Sequence, residues 1–232
     1  MTHKPRPLID LLVSIVLPSA ILMKFSGDEH LGAVGALVLA LAFPIGWGLY
    51  ELIRFRKKNF IAALGLISVL LTGGIGLLQL DTEWLAIKEA AIPAILGIAV
   101  IISAQIGKPL IKVLLYNPTV MNTGKINRIL QERGHDDMFL GSLTRATYLL
   151  GGTFFFSAVM NYLLATWIVT SPTGSAAFNE ELGRMTLLSY PVIAIPSMAM
   201  MLTIFYLLWR RIHHLTGLPL EEMLVTPGAS EK

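Results

Sequence analysis

Apolar runs of about twenty residues recur along the chain, separated by short charged or turn-forming clusters. Six stand out, at residues 8–25, 31–53, 60–80, 88–107, 146–168 and 186–209. At about 1.5 Å of rise per residue, a helix of this length covers the roughly 30 Å hydrocarbon core of a bilayer. The pattern therefore predicts an all-α polytopic membrane protein with six transmembrane helices. The first run follows MTHKPRP, lacks a small-residue cleavage site and continues through Pro18 and Lys24 into SGDEH, so it reads as an uncleaved span.

The fourth run shows the rule that the others repeat. DTEWLAIKE reads as a charged outer loop, AAIPAILGIAVIISAQI as the apolar helix and GKPLIK as the basic stop. Asp81 or Thr82 is placed to cap the helix, Glu83 suits the positive end of its dipole, and Trp84 suits the headgroup belt. Lys88 follows Trp84 by four residues and shares its face, so the ammonium is expected to anchor at the interface, near the ring or snorkelling outward. Pro93 either starts the regular helix or kinks it. In the third run Gly73, Gly74 and Gly76 would let a neighbouring helix approach closely.

Between the fourth and fifth runs lies a polar stretch, residues 108–145. Asn117-Pro118 breaks the helix that LIKVLLY begins. Ile126, Ile129 and Leu130 then recur at helical spacing, with Thr123 as candidate cap and Gly134 as candidate stop. This predicts a short amphipathic cytoplasmic helix, lying on the inner leaflet or packed on the bundle. Residues 1–215 are expected to form one membrane domain and 216–232 a cytoplasmic tail, too polar and short to be a domain.

Composition agrees with this picture. Hydrophobic residues make up 54% of the chain and charged residues 14%, and the mean hydropathy is +0.67. The basic balance, a net charge of +3, comes from short runs beside apolar segments, which argues for membrane orientation and against a nucleic-acid partner. With six spans the termini share a side. Fifteen Lys and Arg fall on that side, and Lys24, Lys88 and Arg184 on the other, so both termini are expected in the cytoplasm. A weak internal echo places Glu83 and Glu181 each ten residues before a proline, Pro93 and Pro191, with Lys88 and Arg184 between. Cysteine is absent, which excludes disulfides, thiolate metal sites and cysteine nucleophiles.

D-T-E-W-L-A-I-K, then G-K-P-L one span later, then L-T-R-A opening a span that carries Asn161, resembles the bacterial intracellular septation protein A family. The P-x-x-W-G-L-Y-E-L end of the second span is similar to a neighbouring family of uncharacterised six-span bacterial membrane proteins. The likeness covers roughly residues 8–211. It implies a non-catalytic inner-membrane protein of the bacterial cell envelope, related to septation and envelope integrity, and its helices and basic inner loop are then expected to contact the bilayer, anionic lipid of the inner leaflet, or envelope and division membrane proteins. Asp81, Trp84, Lys88, Gly107, Arg145 and Asn161 are the residues it would carry over. The loop FNEELGR departs from the pattern, where Trp and Lys are expected, and the segment beyond Arg211 is extra.

Ionisable residues within spans are costly unless paired or wetted, so each is a candidate site. Asp10, Glu51 and Arg145 lie at similar depth near the inner surface and could form a salt-bridge cluster, snorkel separately or relay a proton or ion. Asn161 is the deepest strongly polar residue and suits an interhelical hydrogen bond. His135, Asp136 and Asp137 read as a polar turn, because adjacent residues rarely converge on one metal ion. His213-His214 reads as the wet end of a helix. No phosphate-binding loop or nucleophile elbow is present. No enzyme activity, metal or cofactor is expected. The competing class is a small secondary transporter or channel for an unidentified solute, which a polar pocket deep between the spans would favour and a solid apolar interior would exclude. A homo-oligomer is compatible with the glycines of the third span.

Overall fold

The computed structural model describes residues 12–55 and 60–225, with side chains throughout except at 51–55 and 60–63. Among these residues the protein is helical, and an isolated bridge between Met121 and Leu224 is its β-type pairing. In chain order the helices are α1 (Leu17–Phe25), α2 (Gly32–Phe55), α3 (Phe60–Leu77), α4 (Thr82–Gln105), α5 (Leu110–Leu114), α6 (Thr123–Arg133), α7 (Asp136–Ile168), α8 (Ala176–Ser189), α9 (Ile195–Thr216) and α10 (Leu220–Met223). Short π-helical turns precede α1 at Leu12–Val16 and join α8 to α9 at Tyr190–Ala194. Both turns occur at prolines, Pro18 and Pro191, where the missing N–H interrupts the regular ladder. Four helical stretches, 32–50, 82–105, 136–168 and 176–216, are long and apolar enough to cross a membrane, and Leu12–Phe25 and Leu64–Leu77 are shorter apolar helices.

Two boundaries differ from the sequence reading. DTEWLAIKE is no loop, since α4 begins at Thr82 and runs unbroken for 24 residues with Pro93 inside it. The helix of the fifth apolar run, α7, starts at Asp136, ten residues before that run, because Asp136 and Asp137 occupy its first turn and stabilise that end of the dipole.

The contacts group the chain into two compact units, Met1–Ala91 with Val159–Ala194, and Ile92–Ala158 with Ile195–Lys232. In the first, α1 packs against α2 and α8, and α2 against α3. Leu22, Leu37, Ala40, Ile75, Leu85, Phe178 and Leu182 form its buried core. The close approach of α2 and α3 depends on the glycines of α3, but on two of the three. A Cβ at Gly73 would stand 2.6 Å from Leu41 Cδ1 and one at Gly76 2.6 Å from Leu37 Cδ2, whereas one at Gly74 would meet nothing within 4 Å.

In the second unit α6 packs on α9 and on α10. Its cap is Asn122 rather than Thr123: the Asn122 Oδ1 accepts from the Lys125 N–H, and Gly134 ends the helix at φ 65°. Ile126 and Leu130 are fully buried in a core with Ile212, Leu215 and Met223, so the apolar face is covered by protein and not by lipid. The expected tail takes part in that core. Its residues 218–225 fold back, with Asn122 N–H donating to the Met223 carbonyl, Val225 N–H to the Val120 carbonyl, and Lys125 paired with Glu222 at 2.6 Å. Tyr116 donates to Asn127 Oδ1 at 2.7 Å and stacks edge-on to Phe139; burial, with the Asp136 carboxylate second, pushes its phenol well above the ordinary range.

Gly76→Ala is expected to lower the thermal stability of the purified protein in detergent by about 1–3 kcal/mol, because Leu37 is buried and has little room to yield. Gly74→Ala should be neutral or stabilising by up to ~1 kcal/mol through helix propensity. Equal melting temperatures for the two variants would remove the close α2–α3 contact from the account.

Candidate functional site

Because α4 starts at Thr82, Lys88 lies about 9 Å along it rather than at its mouth. The side chain is 8% exposed, while Trp84 on the preceding turn is 58% exposed. Lys88 thus turns inward, away from the expected interface position. Its Nζ donates to Thr72 Oγ1 on α3 at 2.7 Å and to Glu89 Oε1 at 2.6 Å. Thr72 in turn donates to the Ser68 carbonyl at 3.1 Å, so its lone pair is left facing the ammonium.

These groups line a pocket of about 180 Å³ inside the first unit, together with Ser14, Ser19 and Thr186. Ser19 is 1% exposed and its hydroxyl has no hydrogen-bond partner among the described residues. A buried hydroxyl without a partner is uncommon and costs about 1–3 kcal/mol, so its presence beside a cavity points to something that fills the cavity. Prolines leave gaps in the hydrogen-bond ladders here. Pro18, Pro44 and Pro93 each lack the N–H that would reach the carbonyl four residues earlier, and those earlier residues, Ser14, Ala40 and Glu89, all line the pocket.

The hydrogen-bond inventory defines what the pocket offers. An ammonium has three donors, and Lys88 spends two on Thr72 and Glu89. Glu89 keeps a second carboxylate oxygen, and the Ser19 hydroxyl is uncommitted. One cationic donor, one anionic acceptor and one hydroxyl therefore remain, in a site whose fixed charges cancel.

The other candidates are dispersed. Asp81 caps α4, its Oδ1 accepting from the Glu83 N–H at 3.0 Å. Gly107 ends the same helix at φ +73°, with its own N–H on the Ala104 carbonyl and that of Lys108 on the Ser103 carbonyl, a closure that favours glycine strongly. Arg145 is exposed in the second unit and has no carboxylate within ion-pair distance among the described residues. Asp10 and the side chain of Glu51 lie outside the described residues, so the expected cluster of Asp10, Glu51 and Arg145 is not among the contacts. Asn161 is half-buried on α7. The echo between Lys88 and Arg184 does not extend to their surroundings, since Arg184 is exposed. Glu181 instead holds the 170–171 turn, accepting from the N–H groups of Thr170 and Ser171 at 2.9 and 2.8 Å and from both hydroxyls. His135 Nδ1 lies 3.0 Å from the Leu215 carbonyl, and no three His, Asp or Glu side chains among the described residues converge on a metal position.

Glu89, Thr72 and Ser19 were not singled out by sequence. The signal was the Lys-Glu pair four residues before Pro93, inside a helix already capped at Asp81. The apolar helices mark a membrane-embedded protein, and no family model, curated protein or solved structure matches the chain. The likeness to the septation family accordingly stands on the quoted motifs.

Removing one member of the pair should be worse than removing both. Lys88→Met is expected to destabilise the protein by roughly 3 kcal/mol, leaving Glu89 unpaired, and Lys88→Met with Glu89→Gln should recover much of that loss. Thermal unfolding of the two variants and of Glu89→Gln closes the cycle, and additive losses would show that the two side chains do not act as a pair.

Proposed function

We propose that the protein is a small secondary transporter or channel of the bacterial inner membrane, with six spans and both termini cytoplasmic, and that the Lys88–Glu89 pocket holds its solute. The observation that carries this reading is the half-committed ion pair of buried Lys88 and partly buried Glu89, beside an unpartnered Ser19 hydroxyl. A protein acting through surface contacts alone has no need of it, whereas a solute site does. At about 180 Å³ the pocket is comparable to the 150 Å³ cavity that holds benzene, so the solute has on the order of six to eight non-hydrogen atoms. A zwitterion, or a small polar molecule with a donor and an acceptor, matches the remaining groups. The envelope role implied by the family resemblance draws on the sequence motifs and has no separate structural feature behind it.

Purified protein in neutral detergent, screened by thermal shift against small amino acids, carboxylates, amines and polyols, should be stabilised by one class, by about 2.7 kcal/mol at a hundredfold excess over Kd. Ser19→Ala should leave the unliganded protein unchanged or slightly more stable yet weaken that shift, and Lys88→Met should abolish it. Proteoliposomes should take up the same solute. If no small solute shifts the melt and a deletion strain shows a division or envelope defect rescued by Lys88→Met, the transport reading fails and the contact role replaces it.

Topology is tested independently. With no native cysteine, single cysteines at Asp28 and Thr173 should react with a membrane-impermeant maleimide in intact spheroplasts, and those at Thr119 and Glu132 after lysis alone. The reverse pattern would invert the orientation, and a mixed one would change the number of spans.

A further inference from the structure

The second unit carries a groove of about 320 Å³ between α7 and α9 that the solute pocket does not use. Ser142, Arg145, Ala146 and Leu149 line it from α7, and Ile204, Leu207, Leu208 and Arg211 from α9. Both sets follow i, i+3, i+4, i+7, so each is one face of its helix over about 10 Å. Arg211 Nε donates to Ser142 Oγ at 3.2 Å, so the two helices are tied together at that end of the groove. The groove consequently has a polar end, with Ser142, Arg145 and Arg211, and an apolar end, with Leu149 and Ile204.

Neither arginine has an ion-pair partner among the described residues, and the terminal nitrogens of Arg211 make no protein hydrogen bond there. Two uncompensated guanidinium groups at the mouth of an apolar slot are complementary to one occupant in particular, a phosphate with a hydrocarbon chain attached. We propose that this groove binds an anionic phospholipid, its headgroup phosphate held by Arg145 and Arg211 and part of one acyl chain lying along Leu149, Ile204 and Leu207. Guanidinium suits the task because its planar fork meets two phosphate oxygens at once. A groove of this volume is at the small end of ligand sites and accommodates a chain segment rather than a whole lipid.

The test uses the full chain, delipidated in detergent and titrated with short-chain phosphatidylglycerol or phosphatidylcholine, with bound lipid counted by native mass spectrometry. One phosphatidylglycerol should bind at least tenfold more tightly than phosphatidylcholine. Arg145→Gln should weaken it about fivefold, the size expected for one basic side chain at a membrane surface. Arg145→Gln with Arg211→Gln should erase the preference. Leu207→Trp, which fills the slot while keeping both arginines, should weaken both lipids, with helix content and melting temperature confirming that each variant is folded. Equal affinity for the two lipids would overturn the proposal. So would competition by inorganic phosphate at concentrations similar to the lipid, which would mark a site for free phosphate, or an unchanged affinity in Leu207→Trp.

Discussion

An ammonium group surrounded by apolar helices must be met by acceptors, and the first unit is arranged around that demand at Lys88. In hydrocarbon an unpaired charge costs several kcal/mol. Thr72 supplies one acceptor from α3, the helix whose glycines also meet Leu37 and Leu41 of α2. Glu89 supplies the second from the same helix as the lysine. A separate polar tie holds α8: Asn179 Nδ2 donates to Ser26 Oγ at 3.0 Å and to the Ala33 carbonyl at 2.7 Å, directly beside the fully buried Phe178. Polar contacts thus set the register of the helices, and the apolar side chains fill the space between.

Neighbouring residues on a helix diverge by about 100°, so Lys88 and Glu89 do not naturally face each other. Their 2.6 Å contact requires both side chains to bend into one space, which is the pocket. The result is a site of both signs with no net charge. Under the transport proposal such a site would discriminate against a simple cation or anion, each repelled by one member, and would favour a solute that brings both signs or none. The prolines contribute to the same end. Freed backbone carbonyls near a cavity are tolerated in a membrane where something polar can meet them, and the pocket gathers residues from three interrupted ladders.

The helices themselves were legible because a twenty-residue apolar run has few other fates in a chain of this hydropathy. Their ends were less so. Apolarity marks where a helix meets lipid, not where its hydrogen-bond ladder begins, and α4 and α7 both extend through charged turns, the first capped by Asp81 and the second carrying Asp136 and Asp137 in its first turn. Lys88, read as an outward-snorkelling anchor, is instead buried against Thr72, and Glu89 beside it drew no attention. The amphipathic period of α6 correctly gave Ile126 and Leu130 as its apolar face, but period alone does not distinguish lipid from protein as the partner. The segment that covers the face, residues 218–225, is mostly apolar, but at eight residues with Glu221 and Glu222 in the middle it shows no period of its own and reads as part of a polar tail.

Covering α6 with protein changes what the second unit has left for the bilayer. A basic amphipathic helix with an open apolar face would bind the inner leaflet by insertion, and its affinity would follow membrane curvature and surface charge together. With Ile126 and Leu130 already buried, insertion would require that core to come apart, so charge alone remains for α6 to offer. Charge without an apolar slot attracts a membrane but does not select a lipid, because the attraction acts on surface potential rather than on one headgroup. Selection needs a fixed cationic pair and a shaped hydrocarbon surface in the same place. In the second unit Arg145 and Arg211 stand over such a surface, between two helix faces whose spacing keeps both elements in register.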